Sequence, residues 1–454
     1  MELNTLTSVS PIDGRYHKNT RKLSAYFSEM ALMKYRVKVE VLYLIALATE
    51  TKIKEIRKLT PLEKNKLEKL YINFSLADAT AIKEIEKTTN HDVKAVEYFI
   101  KEKFKKSSLQ PVLEFVHFAL TSEDINNLAY SLMLRDAVKN VYIPLTEQLL
   151  NKIKNLAKQN NNVSLLSLTH GQPATSTTLG KEFAVVAARI KRQLDILKKI
   201  KLMGKLNGAT GNWAAHSVAY PQVNWINFSR KFVSSLGLEI NLLTTQIEPH
   251  DSLCEVYDAI RRINNIVKDF DRDMWMYISR KIFKQQNKSG EIGSSAMPHK
   301  INPIFFENSE GNIGLANALL VFFSNKLPIS RMQRDLTDST VLRNQGTALA
   351  YCIIAYENTL KALERVATNK QTCQKELDEH WEVLAEAIQT VLRKLNYPKP
   401  YEKLKELTRG QKINQKVIHE FISGLDIDKK EKEKLLNLTP ANYTGYSSKL
   451  ANLL

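Results

Sequence analysis

Apolar positions recur every three or four residues over long stretches of this chain, and strand-like alternation is scarce. The clearest run is Leu253, Val256, Ile260, Ile263, Val267, Phe270, Met274 and Ile278, with no proline inside it and Asp251 and Ser252 in front as helix starters. Similar spacing predicts a helix over about 179–203 (Leu179, Phe183, Val186, Ile190, Leu194, Leu197), another over about 304–324, and a third within 342–365 (Leu349, Ile353, Tyr356, Leu360, Leu363). Only 15 Gly and 13 Pro punctuate 454 residues, which favours long helices over many short strands. The expected class is therefore all-α, with an elongated bundle of long helices at its centre. Some of these helices are apolar on more than one stripe, with Ile263 and Ile266 beside Val267 and Trp275 beside Met274. Such faces suit contacts with further subunits, so an oligomer with a shared core is expected.

Before Gln110-Pro111 the pattern is shorter in period and more polar, and beyond 365 it is broken by Pro398, Pro400, Pro440 and the polar segment 409–415. Three helical domains are expected, over residues 1–111, 112–365 and 366–454. Hydrophobic residues make up 43% and charged residues 25%, the balance of a soluble globular protein rather than a disordered one. No apolar run approaches the roughly 20 residues that span a bilayer. The start, Met-Glu-Leu-Asn-Thr-Leu-Thr, lacks the basic and apolar regions of a secretory signal. Cys254, Cys352 and Cys373 are scattered over helical segments and suit reduced thiols. These features point to a cytoplasmic protein with no membrane partner. A net charge of +18 raises nucleic acid as a partner. Its lysines, however, are dispersed among Glu and apolar residues, without a basic zipper, zinc-finger spacing or aromatic RNA-binding motif. An anionic small molecule accounts for the charge equally well, and nucleic acid is not expected.

Polar clusters interrupt the helical pattern at six places. Gly293-Ser294-Ser295-Ala296-Met297-Pro298-His299-Lys300-Ile301-Asn302-Pro303 combines hydroxyls, an imidazole, an ammonium and an amide, and ends in Asn-Pro. Asn as N-cap and Pro at the first helical position would deliver this loop onto a helix N-terminus, which attracts anions. The alternative is a surface loop that is merely polar. Asp13-Gly14-Arg15-Tyr16 is a tight turn presenting a guanidinium and a phenol. Thr88-Thr89-Asn90-His91-Asp92 puts an imidazole where Asn or Asp can cap the helix running to Phe104. His117 precedes Thr121-Ser122-Glu123-Asp124, which is also an ordinary helix start. Thr169-His170-Gly171-Gln172-Pro173 places a histidine in a turn between two long helices. Arg334, Ser339 and Arg343, before the 342–365 helix, suit a phosphate or carboxylate, although an arginine–aspartate network within the chain is the competing account. No pair of histidines at i, i+4 and no Cys-x-x-Cys suggests a metal site, and no glycine-rich phosphate loop suggests a nucleoside triphosphate or dinucleotide.

The Gly293–Pro303 loop in an all-helical chain closely resembles the signature of the fumarase/aspartase superfamily. Thr88–Lys94, Thr121–Asn127, Thr169–Ala174 and Thr245–Asp251 narrow the resemblance to the branch acting on succinylated purine nucleotides, and it runs from Ser10-Pro11 to Pro440-Ala441-Asn442-Tyr443. One departure is Leu168, where that branch often has Arg. The resemblance implies a homotetramer with active sites shared between subunits, no cofactor, no metal, and elimination of fumarate from two succinylated nucleotides of purine synthesis. It implies His170 as general acid and Ser294 as general base, delivered by a lid over 285–297. It implies substrate contacts from Arg15, Tyr16, Asn90, His91, Asp92, His117, Thr121, Ser122, Gln246, Ser295, Lys300, Ile301, Asn302, Asn308, Arg334, Ser339 and Arg343. Argininosuccinate lyase or a fumarase-type enzyme is the nearest alternative within the superfamily. A catalytically silent helical scaffold is the alternative outside enzymology.

Overall fold

A computed structural model describes residues 4–286, 290, 297, 299–408 and 413–453. The protein is built of helices, joined by three sheets of only two strands each among these residues. The longest helix, Asp251–Ser279, starts at the expected aspartate and buries Val256, Ile260, Ile263, Val267, Phe270 and Met274 along one stripe. The expected 304–324 helix spans Ile304–Lys326. Pro303 stands just outside its first turn, where its carbonyl accepts from Phe306 and Glu307, so the helix begins one residue later than an Asn302 cap would place it. The 179–203 helix stops at Leu197, and the last expected helix runs from Gln345 to Leu363 behind a separate short turn, Thr337–Leu342.

A long helix that periodicity does not reveal is Glu29–Leu47. It is apolar nearly all round and buries Leu32, Val37, Val39, Val41, Tyr43 and Leu44, so no single stripe stands out. Within that run two charged residues, Arg36 and Glu40, are also buried.

Two compact units divide the chain. One comprises residues 1–146, 193–265 and 311–357, the other 147–192, 266–310 and 358–454. These units are interleaved along the sequence rather than consecutive. In the first, Glu29–Leu47 packs on Ser122–Ala137, whose Ile125, Leu128, Ala129 and Leu132 are fully buried. That unit is pinned by an ion pair without solvent contact: Lys205 Nζ lies 3.1 Å from Asp124 Oδ1. The same carboxylate accepts from the backbone N–H groups of Thr121, Asn207 and Gly208. The second unit contains a C-terminal core of Trp381, Leu384, Ile388, Leu392, Ile418 and Ile422. It also contains a β-hairpin, Ser164–Thr169 with Gln172–Thr178, whose Leu166 packs on Leu377 and Val383. All three cysteines are free and buried.

Candidate active site

The hairpin fixes the place of His170. Thr169 pairs with Gln172, leaving a two-residue loop in which His170 and Gly171 have φ of +55° and +72°. Positive φ at both positions is the geometry that continues the twist of the strands. His170 therefore projects at a turn, as expected, but from a hairpin rather than a plain helix connection. It is exposed, as are Leu168, Thr169 and Gln172.

Ser294 and Ser295 lie outside the described residues, as does most of the 285–297 segment. At its start, Gln285 Nε2 donates to the Ile301 carbonyl at 2.6 Å. Lys300 is exposed, and Ile301 and Asn302 are half-buried ahead of the Ile304–Lys326 helix. Asn308 Oδ1, on that helix, accepts from Asn358.

In the first unit, Asn90 closes one helix in a left-handed conformation (φ +50°). His91, rather than Asn90 or Asp92, caps the next, its Nδ1 accepting from the Lys94 N–H at 3.2 Å. The Asp92 side chain points elsewhere. Its Oδ2 takes a hydrogen bond from buried Arg36 at 2.7 Å and from Arg343 at 3.2 Å. Burial acts to raise the Asp92 carboxyl, but Arg36, the Val93 N–H and Arg343 together outweigh it and hold it below its usual range. Arg36 Nε also donates to Asn126, and Arg343 reaches Glu29 at 2.7 Å. Arg343 thus takes part in an arginine–carboxylate network within the chain, the competing account of these arginines.

His117, with φ of +60°, places Nδ1 2.6 Å from buried Glu40. Burial would lower the imidazole, but Glu40 more than compensates and raises it. Arg15 and Tyr16 leave the Gly14 turn, where a Cβ on Gly14 would stand 2.9 Å from the Thr5 carbonyl. Arg15 is exposed and its guanidinium lies 5.9 Å from the Tyr16 ring centre.

Thr121 and Ser122 open the Ser122–Ala137 helix. The next residue, Glu123, is buried and pairs with Arg334 at 3.3 Å. Arg334 also leans toward Gln246, 3.5 Å away. His250 Nε2 and Asp338 Oδ2 approach to 3.6 Å in the same place, and Asp338 Oδ1 accepts from the Ser339 N–H at 2.7 Å. Thus the structure brings Gln246, Arg334 and Ser339 to one cluster around buried Glu123 and Asp338, with Thr121 and Ser122 just ahead of Glu123 at the same helix start. Glu123, His250 and Asp338 offer ligand atoms within 4.8 Å of one another, a spacing that would suit a cation. The cationic group already paired with Glu123 is the Arg334 guanidinium.

Glu123, His250 and Asp338 stand inside the motifs but carry no role of their own there, and Arg36 and Glu40 lie outside every motif. The available signal was a pair of charged residues at i, i+4, Arg36 and Glu40, inside an otherwise apolar helical run.

Residues 14–317 match the family model described as lyase. Solved structures share the fold: a 3-carboxy-cis,cis-muconate lactonizing enzyme from Pseudomonas putida (TM-score 0.72, 18% identity, 95% of each chain) and a fumarate lyase from Mesorhizobium sp. BNC1 (TM-score 0.73, 15% identity, 95% of this chain and 96% of the other). Residues 330–444 match the model of the adenylosuccinate lyase C-terminal region. The adenylosuccinate lyase of Haemophilus influenzae is 53% identical over 100% of both chains, and that of Escherichia coli K12 is 53% identical over 98% of both. The chain belongs to the adenylosuccinate lyase family, within the fumarase/aspartase superfamily.

Proposed function

We infer that this enzyme eliminates fumarate from adenylosuccinate, giving AMP, and from the succinyl-carboxamide ribotide, giving the aminoimidazole carboxamide ribotide. The observation carrying this is the full-length identity to adenylosuccinate lyases, joined to arginines, Arg334 and Arg343, that suit a phosphorylated substrate. Arg334 and Arg343, with Ser339, Arg15 and Tyr16, take the phosphate, and Asn90, His91, Asp92 and His117 line the substrate. Thr121, Ser122 and Gln246 hold the succinyl carboxylates or the base.

The reaction removes one Cβ proton from the succinyl group. The electron pair left at Cβ is delocalised into the adjacent carboxylate, which then carries two negative charges. Collapse of that intermediate forms the fumarate double bond and breaks the Cα–N bond. Lys300, Asn302 and the backbone N–H groups near Ser295 stabilise the intermediate, the step hardest to reach without oxyanion stabilisation. Ser294 takes the proton as an alkoxide, a species made accessible by a closed cationic site. His170 gives a proton to the departing nitrogen, a general-acid role that an imidazole fills more often than any other side chain. Closure of the 285–297 segment excludes water during these steps. Neither step calls for a metal or an organic cofactor.

The assembly is a homotetramer with three subunits contributing to each site, built on three successive helical domains. Supporting it is an exposed apolar stripe on the Ile304–Lys326 helix. Ile304, Leu315 and Phe322 are each about half exposed, and Gly311 and Gly314 face open space. The compartment is cytoplasmic; no helix among the described residues is long and apolar enough to cross a membrane. Purified protein added to adenylosuccinate should change ultraviolet absorbance as AMP and fumarate form, with argininosuccinate and malate inert. Cleavage of argininosuccinate instead would move the assignment to the neighbouring branch. Steeply salt-dependent duplex binding without lyase activity would support the nucleic-acid alternative.

A further inference from the structure

Glu123, His250 and Asp338 come from three separated parts of the chain: the first turn of Ser122–Ala137, the residue before Asp251–Ser279, and the Thr337–Leu342 turn. All three are more than nine-tenths buried. Glu123 Oε1 turns inward with no hydrogen-bond partner, and His250 Nε2 and Asp338 Oδ2, also without a hydrogen bond, face each other at 3.6 Å. Buried polar atoms are rarely left unpaired, and two carboxyls with an imidazole in one dry space cannot all be charged freely. A shared proton resolves the conflict. Arg334 forms the open side of the cluster, with Nη2 on Glu123 and its buried Nε unpartnered.

We propose that Glu123, His250 and Asp338 are positioning residues that hold one dissociable proton and thereby set both the direction and the net charge of the Arg334 guanidinium offered to the nucleotide. The inference rests on the reading of Arg334 as a substrate-binding residue. The ionisable groups acting on Glu123 are Arg334, Asp338, His250 and Lys205, with the buried hydroxyl of Tyr130 on its own helix. Burial, with Asp338 adding, pushes the Glu123 carboxyl up to about 7, against the pull of Arg334, His250 and Lys205. When Glu123 is neutral, the positive charge of Arg334 is available to the nucleotide anion. When Glu123 ionises, it competes for the same guanidinium.

The test measures AMP dissociation constants by calorimetry, with kcat and KM for adenylosuccinate, at about pH 6 and about pH 8.5, bracketing the carboxyl's range. Glu123→Ala should weaken AMP binding about tenfold while kcat stays within about threefold. Glu123→Gln keeps an acceptor for Arg334 and should restore affinity. The phosphate's own ionisation cancels in the ratio of wild-type to Glu123→Gln dissociation constants. That ratio should rise about three- to tenfold across the pH range. Asp338→Asn should move the rise to lower pH, because one anion raising the Glu123 carboxyl is gone. A flat ratio, or an unmoved transition in Asp338→Asn, would overturn the proposal. So would one equivalent of tightly held divalent metal in the purified enzyme. Arg334→Gln separates the levels. If it leaves AMP affinity unchanged, the reading of Arg334 fails. If it weakens AMP while Glu123→Ala does not, the positioning inference alone fails.

Discussion

The arginine–carboxylate networks of the first unit and the hairpin of the second are built on opposite principles. Around Arg36, Arg334 and Arg343 every cation is already matched by a carboxylate: Asp92, Glu123 or Glu29. Much of that matching is buried, so the guanidiniums are aimed before any ligand arrives. His170 has no such enclosure. It sits exposed on a two-residue turn, anchored only lower down the hairpin, where Thr175 Oγ1 donates to Glu386 and Ser164 Oγ to the Ala441 carbonyl. Binding groups are pre-paired and rigid, whereas the proposed acid awaits its surroundings. The contrast predicts that mutations in the two regions fail differently: affinity and stability in one, turnover in the other.

The largest expected effect lies on the hairpin. His170→Ala should lower kcat by about 10²–10⁴-fold, while AMP affinity and thermal stability change little, since an exposed turn residue carries few contacts. Ser294→Ala should behave alike. Mixing the two inactive variants as subunits should restore part of the activity if sites are shared; well-mixed subunits that stay inactive would argue against sharing.

The first unit breaks by unfolding instead. Asp124→Ala leaves Lys205 without its counter-ion and away from solvent, held only by the Gly208 carbonyl, and frees three backbone N–H groups. The loss should be about 3–5 kcal/mol, read from urea midpoints. A midpoint near that of the parent would show that the buried pair does not hold this unit together.

A smaller loss should follow acidification. His216 is buried, stands edge-on to Trp225 at 4.7 Å and lies 3.3 Å from the Tyr43 hydroxyl. Burial, against the pull of Asp124, lowers its imidazole from 6.5 to about 4. The unfolded chain therefore binds more protons between those values, and stability falls as pH drops from about 6.5 toward 4. The contribution is on the order of 3 kcal/mol at most. His216→Phe should flatten that part of the urea-midpoint profile; an unchanged slope would assign it to other groups.

How much of this was legible follows from range along the chain. The Asp251–Ser279 and Ile304–Lys326 helices announce themselves because one face repeats every three or four residues. The turn at His170 was legible from Gly171 and Pro173, but its strand stems were not, since Ser164–Thr169 and Gln172–Thr178 alternate too weakly. Glu29–Leu47 hid because burial on all sides erases periodicity. The Thr121–Asp124 stretch read correctly as a helix start, yet nothing local says that Glu123 meets Arg334, His250 and Asp338. Those partners are brought in by the fold from more than a hundred residues away.

The comparison is sharpened most finely at Glu386. Its carboxylate accepts from Thr175 Oγ1 at 2.5 Å and from the Tyr443 hydroxyl at 3.0 Å, tying the hairpin to the C-terminal helices of the same unit. This link is exposed, so its loss should hardly touch stability; one hydrogen bond to a charged acceptor contributes about 1.5–3 kcal/mol at best and less in water. Its effect should appear in the aim of the turn five residues away. Glu386→Ala should lower kcat about two- to fivefold with KM and the urea midpoint unchanged, and Glu386→Gln, which still accepts from both hydroxyls, should recover most of the loss. If Glu386→Ala raises KM and spares kcat, the hairpin serves binding rather than proton delivery, and the division between a pre-paired binding region and a lightly held catalytic turn fails at its weakest link.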